Sequence, residues 1–196
     1  MATWYWPEWI RNKTIMELTL FKATLMAGIL FAAVGALFAA PSKPIAAILR
    51  GFPRSRLAAY VTMIIGGSWT LYKVAHLGEA NYGDFKQYIF VAFAAVGVLS
   101  FKYAPDFLSV RGACILFLLI ANTILDGAFG RFDEPLRLFF VTPIYIGIAL
   151  SLYLGYSPFR LRDFFEWLFA TAARPKTLGL IFLLYGGFVS SLVFAY

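Results

Sequence analysis

The sequence predicts an all-α integral membrane protein, a bundle of about six transmembrane helices with one cytoplasmic-side interfacial amphipathic helix. Three observations carry this. Only 14% of the residues are charged and 61% are hydrophobic, with a mean hydropathy of +0.76. A soluble domain carries roughly 25% charged residues, so this chain lacks the charge to coat a water-facing surface. Apolar runs approaching the span length of about 20 residues recur along it, and Lys and Arg gather in alternate loops. Residues 1–196 read as a single polytopic domain, with no stretch long enough for a separate soluble one.

The N-terminal segment 1–17 carries Trp4, Tyr5, Trp6 and Trp9 around Pro7 and Glu8. Indole and phenol rings prefer the headgroup level, so it reads as an aromatic interfacial anchor. It lacks the basic start, short apolar run and small-residue site of a signal peptide and is expected to belong to the mature protein. Six apolar stretches follow, at Leu18–Ala40, Leu57–Leu77, Tyr88–Tyr103, Phe107–Phe129, Leu136–Tyr156 and Thr177–Tyr196. The third is short. Small residues spaced four apart, Gly28, Ala32 and Ala36 in the first and Gly147, Ser151 and Gly155 in the fifth, form strips where another backbone can approach.

The loops orient the spans. Lys43, Arg50, Arg54 and Arg56 lie between the first and second without an acid. Lys102 and Arg111 flank the third-to-fourth turn, and Arg160, Arg162, Arg174 and Lys176 fall in or beside the last loop. Lys and Arg favour the cytoplasmic side, which places both termini on the non-cytoplasmic side. A bacterial inner membrane, or its equivalent, is the expected setting.

The segment 157–174 is the amphipathic element. Ser157 can cap a helix, and Pro158 suits its first turn. Leu161, Phe164, Phe165, Leu168, Phe169 and Ala172 recur at the spacing of one helical face. Arg160, Arg162, Asp163 and Glu166 lie off that stripe, and Pro175 is expected to stop the helix. Such a helix between two apolar runs lies flat among headgroups. Arg160, Arg162, Phe165 and Phe169 form a candidate docking face.

Charges at hydrocarbon depth are costly and usually functional. Lys22, Lys73, His76 and Asp126 all fall near the outer ends of their spans, and Asn122 lies one turn before Asp126. These five form a candidate outer polar cluster in which Asp126 pairs with Lys73 or Lys22. The opposing expectation is lysines snorkelling singly to the interface. Gly66, Gly67, Trp69, Tyr145, Tyr185 and Gly186 form a candidate midplane cavity without charge, although aromatic residues in spans more often simply pack. Cys114 is the only cysteine and His76 the only histidine. That excludes an intrachain disulfide, a bis-His haem or a His-rich metal site. No His-Glu-x-x-His, Gly-x-Ser-x-Gly or phosphate-cradling glycine motif occurs.

No catalytic set, metal or cofactor is expected. The 21 phenylalanines leave room for an apolar ligand such as a lipid tail, a quinone or a pigment. The formal charge of +7 would point to nucleic acid in a soluble protein. With the basic residues in loops it points instead to anionic membrane lipids, and no nucleic acid is expected. Two function classes fit: a non-catalytic multi-pass subunit that packs against and positions other components of a membrane complex, or a small homo-oligomeric channel, facilitator or carrier for an uncharged or anionic solute. A lipid-acting enzyme rests only on Asp126 and His76.

Overall fold

The computed structural model describes residues 20–40, 43–78, 85–130 and 134–195; the N-terminal anchor expected over 1–17 lies outside them. The described residues form eight α-helices and contain no strand. They are α1 (Leu20–Ala39), α2 (Lys43–Gly51), α3 (Arg56–Ala75), α4 (Lys86–Tyr103), α5 (Leu108–Ala128), α6 (Leu138–Tyr156), α7 (Phe159–Leu168) and α8 (Ala173–Ser191). Short 3₁₀ turns at Phe52–Arg54, Pro135–Arg137 and Leu192–Ala195 adjoin α3, α6 and α8.

Four stretches, Leu20–Ala39, Leu108–Ala128, Pro135–Tyr156 and Ala173–Phe194, are long and apolar enough to cross a membrane. They mark the chain as a membrane protein, and they share the main core. Leu20, Ala23, Ala27 and Phe31 of α1 meet Ala121, Ile124 and Ala128 of α5, Phe140 and Ile144 of α6 and Val189 of α8. The expected second and third spans form helices of 20 and 18 residues but fall outside that set of four. Arg56, Thr62, Ser68, Thr70 and Lys73 dilute α3, while Lys86, Gln87, Ser100 and Lys102 dilute the ends of α4.

The tightest seam joins α1 to α8. A Cβ added at Gly179 would lie 2.2 Å from the Ala39 nitrogen, and one at Gly186 would lie 2.5 Å from the Ala32 nitrogen. Gly28 and Gly35 fit Ser190 and Leu183 in the same way. Lipid tails are as apolar as the side chains, so helices associate through close van der Waals contact, and hydrogen on Cα is what permits it. The strip in α1 thus continues through Gly35 rather than through Ala36, which is exposed. The strip in α6 does not meet it: Gly147 instead receives the Phe117 ring of α5.

Helix α5 also carries α3, where Gly112 admits Thr62. Helix α4 packs chiefly on α3, with Tyr60 and Phe101 stacked 5.2 Å apart, and contains no buried residue.

The helix expected over 157–174 is shorter in the structure than its periodicity predicts. It ends at Leu168, and Pro175 sits in the first turn of α8. A proline ring clashes with the carbonyl four residues earlier, here that of Thr171, so the chain breaks before it. In the first turn the missing N–H has no helical partner to lose. Arg50 Nη2 donates to the Phe169 carbonyl at 2.7 Å and Arg174 Nη1 to the Trp167 carbonyl at 2.8 Å. Cations here satisfy the orphan carbonyls at the end of α7. The first contact also ties α2 to α7, bringing the first and last basic loops to one end of the bundle.

Candidate functional site

Helix α3 places Lys73 in its last turn, and the ammonium donates to Asn122 Oδ1 on α5. Asn122 Nδ2 reaches Asp126 Oδ1 at 3.5 Å, a long contact. An amide therefore stands between the lysine and the carboxylate, and the direct Lys73–Asp126 pair is not made. His76 turns back on its own helix, with Nδ1 2.8 Å from the Tyr72 carbonyl and its ring beside that of Tyr72. A carbonyl only accepts, which assigns the proton to Nδ1. Lys22 is exposed on α1 and makes no polar contact with the other four. A double-mutant cycle of Lys73→Met with Asn122→Leu, read as unfolding in detergent, is expected to show a coupling of about 0.6 kcal/mol, the average for polar pairs between membrane helices. The cycle of Lys73→Met with Asp126→Asn should show less.

The six residues expected around a midplane cavity do not line a common space. Gly66 is filled by Ile115 and Leu116 of α5, whereas Gly186 is filled by α1. Because α3 packs on α5 and α8 on α1, the two glycine pairs do not face each other. Gly67 has open space beside it, Trp69 is half-buried on α3, and Tyr145 is exposed. Tyr185 lines a shallow groove of about 450 Å³ with Pro135, Leu138, Phe139, Thr142, Pro143 and Ile146, which none of the other five joins.

The Tyr185 hydroxyl donates to the Phe139 carbonyl. Pro143, inside α6, has no N–H for the carbonyl four residues before it, which is that of Phe139. Tyrosine on α8 thus supplies the donor that proline removed, as an apolar surrounding demands. The signal was in the sequence, as Pro143 and a tyrosine on a neighbouring span, but only the fold pairs them.

The docking face expected on α7 is divided. Phe165 is buried with Phe38 and Leu168, and Phe169 packs on the same cluster with Val34, Leu49, Leu161 and Leu178. Phe165 and Phe169 are thus turned to the chain's own core, whereas Phe164 of the same stripe is not. Phe159, Phe164 and Trp167 are the exposed aromatic residues, and Arg160 is exposed beside Phe159. Arg162 pairs first with Asp163 at 2.7 Å and more loosely with Glu166 at 3.9 Å. The Asp163 hydrogen bond, and then its charge, raise the guanidinium above its ordinary range.

A cavity of about 700 Å³ was not anticipated from sequence. It lies at the end carrying the basic loops, where α3 and α5 begin and α4 ends, lined by residues including Arg54, Arg56, Tyr60, Phe101, Asp106 and Phe107. Ser109 Oγ donates to the Phe52 carbonyl at 2.8 Å and the Pro53 carbonyl at 3.0 Å, fixing the turn that carries Arg54 against α5. Ser55 caps α3 by accepting from the Ala58 N–H at 3.2 Å. In the lining, Phe107 adopts a left-handed backbone with φ of 56°. A bulky residue pays roughly 1–2 kcal/mol for that conformation, and such strain gathers at functional sites.

Comparison with protein-family models, with curated proteins and with solved structures finds no match to this chain. Its functional reading therefore rests on its own chemistry. Among the described residues, no group of three or more His, Cys, Asp or Glu side chains is placed to hold a metal ion.

Proposed function

We propose that this chain is a non-catalytic, multi-pass subunit that packs against and positions other components of a membrane complex. The observation that carries this is α4. It packs chiefly on α3 and buries none of its own residues, while Tyr88, Val91, Val96, Val98 and Tyr103 are each more than 60% exposed. A helix so weakly engaged by its own chain offers an apolar edge for a neighbouring subunit, and close packing, not hydrophobicity, is what would hold it.

In this reading α3 and α4 complete about six spans in the packed bundle, and both termini lie on the non-cytoplasmic side. With six spans the charge supports the orientation: Lys43, Arg50, Arg54, Arg56, Lys102, Arg111, Arg160, Arg162, Arg174 and Lys176 would fall at one end, against Asp106, Asp163 and Glu166. That end faces the cytoplasm by the positive-inside rule, in a bacterial inner membrane or its equivalent. Anionic lipids are its companions there, with α7 lying at headgroup level and showing Phe159, Phe164 and Trp167 to the bilayer.

Purification in mild detergent followed by native mass spectrometry tests the reading. Stoichiometric co-purification of a different polypeptide is expected. A closed homo-oligomer would favour a channel or carrier instead. A lone monomer that binds a solute saturably would overturn the subunit reading.

A further inference from the structure

The cavity of about 700 Å³ at the basic end combines room for a ligand, positive charge and an apolar wall. Its volume falls within the roughly 300–1,000 Å³ of small-molecule sites. Arg54 and Arg56 both line it and both are exposed, and neither guanidinium has a side-chain partner among the described residues. Asp106 is the one acidic residue in the lining, so the two arginines leave a net charge of +1. Beside them the wall is apolar. Tyr60 and Phe101 stack at 5.2 Å with 14° between their planes, and the flank of α3 continues outward through Leu57, 75% exposed, and Tyr60, 54% exposed.

Position sets the class of ligand. The cavity opens at the first turn of α5, a helix long and apolar enough to span. Its arginines therefore sit at headgroup depth and its aromatic wall at the depth of the upper acyl chain. Guanidinium groups match phosphate oxygens in geometry and charge, and they desolvate more readily than lysine. A net charge of +1 is neutralised by one phosphodiester. We propose that this cavity binds an anionic glycerophospholipid, its phosphate held by Arg54 and Arg56 and an acyl chain leaving across Tyr60 and Phe101. The site belongs to a single chain, so the proposal rests on the membrane placement and not on the presence of protein partners.

Strain and anchoring fit this role. Ser109 holds the Phe52–Arg54 turn against α5, which fixes Arg54 relative to the cavity without engaging its charge. Phe107, in the lining, keeps its left-handed backbone in the loop between α4 and α5.

The test uses the full chain in mild detergent, titrated with phosphatidylglycerol and followed by native mass spectrometry. One retained phosphatidylglycerol per chain is expected, with phosphatidylcholine binding at least tenfold more weakly. The double variant Arg54→Gln/Arg56→Gln should lose at least tenfold in phosphatidylglycerol affinity at an unchanged unfolding temperature. Arg160→Gln/Lys176→Gln removes the same charge from the same end and should leave binding intact. Asp106→Asn, which removes the opposing carboxylate, should tighten it. Equal losses in the two double variants would mean diffuse attraction to a basic surface and would overturn the site. Equal retention of phosphatidylcholine, displacement by millimolar inorganic phosphate, or failure of Asp106→Asn to tighten binding would each overturn it as well.

Discussion

Replacing Gly179 with valine is expected to destroy the packed bundle, while the same change at Gly187 leaves it intact. At Gly179 the new Cβ would fall 2.2 Å from the Ala39 nitrogen and 2.6 Å from its Cα. Those are backbone atoms of α1, so no rotamer change can relieve the clash. The helices must separate along a seam that also includes Gly28, Gly35 and Gly186. Overpacking usually costs about 1–3 kcal/mol, and the rigidity of this contact puts Gly179→Val at or above the upper end. Nothing lies within 4 Å of a Cβ at Gly187, so Gly187→Val should stay within about 0.5 kcal/mol. Thermal unfolding of the two variants in detergent measures the difference. Equal midpoints would show that α1 and α8 do not pack in this register.

The second large effect is expected at Tyr185, and its size depends on Pro143. With phenylalanine at 185 the Phe139 carbonyl has neither the tyrosine hydroxyl nor an amide from residue 143. An acceptor orphaned in an apolar setting costs about 1–3 kcal/mol, so Tyr185→Phe should lower stability by that amount. In a Pro143→Ala background the helix regains its own N–H donor, and the same Tyr185→Phe change should then cost less than about 0.5 kcal/mol. This non-additivity is the informative reading. A cost that stayed the same in both backgrounds would assign Tyr185 to ordinary packing.

Helix boundaries were legible because apolar runs and helices coincide in a membrane chain. The stretch Phe107–Phe129 became α5 over Leu108–Ala128, and Leu136–Tyr156 became α6 over Leu138–Tyr156. The last span was less accurate, beginning at Ala173 and not at Thr177, because Pro175 admits two readings. A proline ends one helix or sits in the first turn of another, and only the break after Leu168 decides between them. The short helix α2 was missed. Ile45, Ile48 and Leu49 show helical spacing there, but the flanking basic residues and prolines disguise it as loop.

Site residues were less legible than spans, for a physical reason. Spacing along one helix places Asn122 beside Asp126 without knowledge of the fold, and the structure has them in contact. Pairing between helices requires knowing which helices touch. Gly66 and Gly186 look alike in sequence, yet one faces α5 and the other α1. The arginine cavity escaped notice because Arg54, Arg56, Phe101 and Asp106 come from loops and helix ends distant in the chain.

The claim most exposed to direct test is that α3 and α4 cross the membrane with the other four helices. Cys114 is the only cysteine, so a Cys114→Ser background accepts single reporters at Gly78, Asp106, Phe129 and Ala170. Each is changed to cysteine in turn and treated in intact cells with a membrane-impermeant maleimide. Gly78→Cys and Phe129→Cys are expected to label from outside, and Asp106→Cys and Ala170→Cys only after lysis. If Gly78→Cys instead reacts only after lysis, together with Asp106→Cys, then α3 and α4 return without crossing. The chain would have four spans, and the six-span account would be contradicted.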